Sequence, residues 1–414
     1  MSEAADSIDA RRIHVTSPAA SPATLNVVIG TESITIQRAA FTTLLDNSVA
    51  GTYVDYGKAL ASGGIKFPAL LRLARIGEIP YPLFFAGLPF VEAQVASKTK
   101  KLLAGVSKET FSIGSRAPVE LRDVELILKD LIRKQELLKR HDRTLEKNRI
   151  VGLLRVEGVS VQDDASRLMS AIGLTHEAMR ACGTKERALD LMIERLESKQ
   201  VLVSRSVQHY MPQRLNHVDF SGMTIRDAKV PYIFLAGGDH GDHQEPVGRT
   251  IFTLALMAVL VARRIFSPVT WNAESAATDL GREYDIAGAM LMPKSSLRRY
   301  GPFSIDEVLT ASSEFKVTPS AVVVRALRLG FISSEVARTH LAEFRQAFLE
   351  RPKRSGMSPI RAENAIRKYA GRELSRRMID VLDSGAITSN EFYRTVCLNK
   401  LRDGQLDDLR RAVR

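Results

Sequence analysis

Apolar positions thicken toward one stretch, Arg249 to Phe266, which reads RTIFTLALMAVLVARRIF. Its apolar centre, Ile251 to Ala262, is too short for a bilayer span, which needs about 20 residues. The pattern predicts a helix buried inside a domain.

Other elements follow from local periodicity. Residues 26–50 alternate weakly. Leu70, Leu71, Leu73, Ala74 and Ile76 recur at helical spacing behind Pro68, predicting a helix over Pro68 to Gly77. Ile79-Pro80 and Leu83-Phe84-Phe85 form a second apolar knot. Leu88 to Arg116 reads as a linker carrying Lys98-Thr99-Lys100-Lys101. From Pro118 a long amphipathic helix begins, with Leu121, Val124, Leu128, Leu131, Leu138 and Leu145 in a heptad-like stripe that Gln135 and Asp142 interrupt. Asp163 to Ala171 and Lys185 to Ser198 read as helices, the second behind a weak cap at Thr184. Val201 to Ser204 and Tyr232 to Leu235 read as buried strands, and Asp219 to Gly222 as a turn. Toward the C-terminus, Ser304 or Asp306 caps one helix. The unit Phe315 to Ser320 opens another over Ala321 to Leu329, closed by Gly330, and Ile332-Ser333-Ser334 starts the next. The fold class is α+β, mostly helical.

Composition narrows the function. The 414 residues carry a net charge of +12, which supports an acidic partner, nucleic acid foremost, against a solvated basic surface with no partner. The last module, from residue 355, concentrates basic residues. Arg367, Lys368, Arg372, Arg376 and Arg377 are its candidate nucleic-acid contacts, against a reading as snorkelling arginines or a face for an acidic protein. Cys182 and Cys397 lie too far apart in sequence to make a metal motif, and they suggest a reducing, cytoplasmic setting. The first 24 residues, rich in Ala, Ser, Asp and Pro, read as a flexible tail.

Two constellations bear on chemistry. The loop Asp239-His240-Gly241-Asp242-His243, with Glu245 close by, places two histidines and two aspartates within five residues ahead of the apolar helix. Asp239, His240, Asp242 and His243 are weak candidates for a metal, and a solvated loop is the alternative. The other histidines, at 14, 141, 176, 209, 217 and 340, are scattered and read as structural.

The pieces RKQELLKR, LVSRS, FSG, VPYIFLAGGD, IFTLA and AGAMLMPKSSL stand in an order that resembles the ImmA/IrrE-type zinc metallopeptidases. The GKALASGGIKFPALLRLA stretch, followed by IPYPLFF, resembles the second half of the XRE-type helix-turn-helix often fused to them. The resemblance implies a zincin-like core with a small sheet, and a catalytic helix bearing two histidines and a glutamate. Here those positions carry Leu256, Leu260 and Met257, and the third-ligand position falls on Arg282, or on Glu283 with a one-residue slip. Neither leucine nor a thioether replaces imidazole for zinc, and no general base remains. The resemblance therefore implies a pseudo-peptidase with no catalytic residue and no zinc.

The implied order is a tail (1–24), a degenerate helix-turn-helix (25–90), a linker (91–118), a helical connector with the pseudo-peptidase core (119–300), a helix-turn-helix-like region (301–350) and a basic helical module (355–414). The implied function is a phage or mobile-element regulator that contacts DNA or a regulatory protein, with no membrane partner. The alternatives are a zinc endopeptidase that cleaves a repressor, and a protein-interaction module such as an antirepressor or a toxin–antitoxin-like component.

Overall fold

A computed structural model describes residues 23–102, 111–113, 121–215, 220–236, 245–271, 281–350, 360–402 and 404–414. It is an α+β protein, mostly helical, and its contacts divide it into two units, residues 1–97 and 98–414.

The first unit opens with a hairpin, β1 (Thr24–Ile29) and β2 (Glu32–Gln37), where the sequence shows only weak alternation. Gly30, at φ +62°, supplies the left-handed residue that the two-residue turn needs. Then come α1 (Arg38–Asp46), α2 (Val54–Ser62), β3 (Gly64–Lys66) and α3 (Phe67–Ile76). β3 pairs parallel with β1. The expected Pro68–Gly77 helix is α3, and Phe84 from the following knot is fully buried among Phe41, Leu70 and Leu73. The stretch read as a linker begins instead as a helix, α4 (Leu88–Leu102). Val91 and Val95, four residues apart, give it one apolar face on this core.

The second unit is built on a five-stranded mixed sheet. In chain order it contains β4 (Phe111–Ile113), α5 (Leu121–His141), α6 (Val161–Ile172), α7 (His176–Ala181), α8 (Lys185–Glu197), β5 (Leu202–Arg205), β6 (Phe220–Ile225), β7 (Tyr232–Leu235), α9 (Val247–Arg263) and β8 (Pro268–Trp271). α10 (Arg282–Leu291), α11 (Lys294–Leu297), α12 (Ile305–Glu314), α13 (Pro319–Arg328) and α14 (Ser334–Leu349) follow. α15 (Ala362–Ala370), α16 (Arg372–Asp383), α17 (Ser389–Thr395) and α18 (Leu406–Val413) close the chain. The strand order is β4-β8-β6-β7-β5. Residues 220–222, expected as a turn, are the start of β6, which carries a bulge between Phe220 and Gly222. Thr184 does cap α8, its Oγ1 accepting the Arg187 N–H at 3.2 Å, and Ser304 with Glu307 forms a capping box on α12.

Strand side chains alternate between two cores. Val203, Ile233 and Leu235 face a cluster made by α6 and α8–α10 with α12–α14. Leu202, Tyr232 and Phe234 face the other way, into a cluster made by α5 and α15–α18. The basic C-terminal helices are thus the second wall of the sheet. Gly371, between α15 and α16, sits at φ +92°, and a Cβ there would lie 2.8 Å from the Val203 carbonyl oxygen of β5. Ser204 Oγ donates to the Tyr369 carbonyl, and Tyr232 OH to the Ala370 carbonyl. The two residues that interrupt the α5 stripe make specific bonds. Gln135 Nε2 donates to Val230 O at 2.8 Å, and Asp142 pairs with Arg377 at 2.7 Å.

Candidate functional site

α9 runs between the sheet and α8 and α10, so nearly every side chain it carries is enclosed. Leu256, Met257 and Leu260, on the three positions the resemblance marks for ligands and base, each have 0% exposure. Their neighbours in the cluster are aliphatic: Leu168 and Met169 from α6, Met192 and Leu196 from α8, Ile286 and Met290 from α10. The Met257 methyl fills the space a side chain at residue 222 would need; a Cβ on Gly222 would lie 2.5 Å from it and 2.1 Å from Phe234 O. A dry aliphatic wall offers no lone pair to a divalent cation and no acceptor for a water proton, so these residues do not fit zinc.

The third-ligand position is occupied by a cation with a partner. Arg282 Nη2 donates to Asp164 Oδ2 at 2.8 Å and to Gly158 O at 3.2 Å. Asp164, fully buried on α6, also accepts from Gly158 N at 2.8 Å and Arg167 Nη1 at 3.3 Å. Glu283, the one-residue alternative, pairs with Arg263 at 3.3 Å, and Arg263 reaches Glu157 at 2.8 Å. The polar groups nearest this position satisfy one another and form a structural ionic network.

Asp239, His240, Asp242 and His243 lie outside the described residues. Glu245, just beyond them, is described: burial pushes its carboxyl up to about 7, against the opposing pull of Arg249. The same burial lowers the Arg249 guanidinium from its ordinary value. Among the described residues no group of three His, Cys, Asp or Glu side chains could hold a metal ion. Cys182 and Cys397 are both free thiols, and burial pushes Cys397 up to about 12.

The basic cluster on the C-terminal helices is engaged within the chain. Arg367 Nη1 donates to Ala412 O at 3.1 Å, and Arg372 to Val413 O at 3.0 Å and Arg414 O at 2.5 Å, tying down the last turn of α18. Arg376 pairs with Glu373 at 2.8 Å and Asp380 at 3.0 Å, and Arg377 with Glu373 at 2.6 Å and Asp142 at 2.7 Å. Lys368 lies on the same helix as Arg367 and also has an interaction partner. The pairs with Glu373 and Asp380 lie three or four residues apart on α16 and are readable from helical spacing, whereas those with Asp142 and the carbonyls of 412–414 are remote in sequence and only the fold supplies them.

One acidic group was overlooked by sequence reasoning. Glu197, at the end of α8, is 4% exposed. Its Oε2 accepts the Glu373 backbone N–H at 3.3 Å, so it serves the N-terminus of α16 from another element. Burial, together with the Glu373 charge, pushes its carboxyl up to about 8. Glu373 itself is lowered: burial alone would raise it, but the bonds from Arg376 and Arg377 prevail.

The first unit carries little charge to offer a polyanion. Residues 23–97 hold five cations (Arg38, Lys58, Lys66, Arg72, Arg75) and five anions (Glu32, Asp46, Asp55, Glu78, Glu92), a net of zero. In the stretch Thr42 to Lys58, ahead of the helix-turn-helix-like segment, the only cation is Lys58. Compared with protein-family models, curated proteins and solved structures, the chain matches none.

Proposed function

We propose that this chain is a non-catalytic regulatory protein of the phage or mobile-element kind, its core a metallopeptidase-like scaffold used for docking or sensing. The observation that carries the reading is the packing of Leu256, Met257 and Leu260 into continuous aliphatic core. The resemblance to ImmA/IrrE-type proteins supplies the family context, and the Arg282–Asp164 pair is in keeping with a third-ligand position turned to structure. A fold retained without its reactive groups still offers shape and surface for recognition.

The test is metal analysis of the purified full chain, alongside incubation with a candidate repressor with and without chelator. The expected result is zinc far below one equivalent and no chelator-sensitive cleavage. Stoichiometric zinc accompanied by chelator-sensitive cleavage would overturn the reading in favour of an endopeptidase. Zinc that binds without cleavage, and is lost in a His240→Ala/His243→Ala variant, would place a metal on the preceding loop and leave the core non-catalytic.

A further inference from the structure

We infer that one end of the five-stranded sheet is a nucleic-acid phosphate-binding surface, formed by Arg143, Lys147, Arg149, Lys199, Arg226 and Lys229. The proposal deepens the regulatory reading by giving the protein a polyanion contact, and its test stands apart from the metal analysis. Three connections meet here: the one after α5, the one between α8 and β5, and the one between β6 and β7.

Side-chain amides lock these connections together. Asn148 N donates to Ala228 O at 2.9 Å, and Asn148 Nδ2 to Lys199 O at 2.8 Å and Lys229 O at 3.3 Å. Gln200 Nε2 donates to Glu146 O at 2.9 Å and Lys229 O at 3.1 Å. Gln200 holds φ +58° to do so, a conformation that a non-glycine residue adopts only when its surroundings enforce it. The backbone under the cations is therefore preorganised, which reduces the ordering lost on binding.

All six cations are exposed, and none has a carboxylate partner among the described residues. The carboxylates that could quench them are turned elsewhere. Asp142 binds Arg377 and Thr144, and Asp227 binds Lys139 at 2.8 Å and the N–H groups of Lys229 and Val230. Within residues 142–150, 198–201 and 226–231 Glu146 is the one exposed carboxylate, and Glu157, further toward α6, is paired with Arg263. This contrasts with the α15–α16 arginines, which are paired, and with the neutral first unit.

Phosphate is favoured over an acidic protein because the surface has no apolar centre. Leu145, Ile150, Val201 and Val230 are buried, and within residues 142–150, 198–201 and 226–231 Ala228 is the largest exposed aliphatic side chain; the exposed Val156 and Val159 lie further along the chain toward α6. A protein interface needs a dry apolar patch, whereas backbone phosphates need only spaced cations. Arg and Lys neutralise backbone phosphates whatever the base sequence, so a mixed-sequence duplex is a sufficient probe. Cations beyond helix C-termini also complement the helix dipole, and the experiment separates that role from binding.

The full chain is titrated onto a mixed-sequence DNA duplex at graded salt. Two variants are compared, Arg143→Gln/Lys147→Gln/Arg149→Gln and Lys199→Gln/Arg226→Gln/Lys229→Gln. A control, Lys58→Gln/Lys66→Gln/Arg338→Gln, removes the same charge elsewhere. Wild type binds at low salt, and log affinity falls with log salt by about 0.9 per phosphate contact. Each surface variant weakens binding about tenfold or more and flattens the slope by about 2 to 3, while the control stays close to wild type. Melting temperatures stay unchanged throughout. Absence of wild-type binding at low salt, or surface variants that bind like the control, would overturn the proposal. So would loss of binding only in step with loss of melting temperature, which assigns the cations to helix capping. Polyglutamate that displaces DNA at equal charge concentration would assign the surface to an acidic protein instead.

Discussion

Glu197→Gln should stabilise the second unit at neutral and alkaline pH. The Glu197 carboxyl is almost wholly enclosed, and burial raises it from 4.5 to about 8. The folded state then holds a proton that the unfolded chain releases above pH 4.5. The sign follows directly. Folding carries no penalty from this group below pH 4.5, and stability is lost as pH rises from there to 8, at about 1.36 kcal/mol per pH unit. At pH 7.5 the loss approaches about 4 kcal/mol, a large share of a typical domain's stability. Glutamine keeps the acceptor for the Glu373 N–H and has no proton to release. Urea unfolding followed by Trp271 fluorescence reads the correct unit, because this single tryptophan stands on β8 of the same sheet. Wild type should lose stability between pH 5 and 8 relative to the variant, which should be the more stable by about 3 to 4 kcal/mol near pH 7.5. Equal pH profiles, or a variant less stable at every pH, would refute the argument.

Three further outcomes follow from packing. Leu256→Ala should cost about 2 to 5 kcal/mol by chemical denaturation, since it empties a fully enclosed site; a cost near zero would mean that the position faces a cleft. Arg282→Met should destabilise by about 3 to 5 kcal/mol, because the buried Asp164 loses its closest cation. Arg282→Met combined with Asp164→Asn should recover part of that loss, and a purely additive double variant would count against the pair. Gly371→Ala should loosen α15 and α16 from β5, because the residue is left-handed and its Cβ meets the Val203 carbonyl. Faster hydrogen exchange at α16 than in α9 is the expected signature, and uniform exchange across both would contradict it.

Much of the secondary structure was legible from the chain alone. The α3, α5, α8 and α9 helices and the Tyr232–Leu235 strand follow from the spacing of apolar residues, and the caps at Thr184, Ser304 and Ser333 from local hydroxyl chemistry. The hydrophobicity of α9 and its lack of zinc ligands also needed nothing but the sequence. The hairpin and β8 were missed because short strands carry little periodic signal and depend on partners distant in sequence. The polar surfaces were decided mainly by tertiary structure. Glu373 and Asp380 stand at helical spacing from Arg376 and Arg377, but only the fold brings Asp142 against Arg377. Lys147, Lys199 and Lys229 look scattered until Asn148 and Gln200 gather their loops. Burial is set mainly by a residue's own periodicity, so local sequence reveals it. The free or paired state of a charge is set by whichever groups the fold places within about 4 Å, so only the folded chain can decide it.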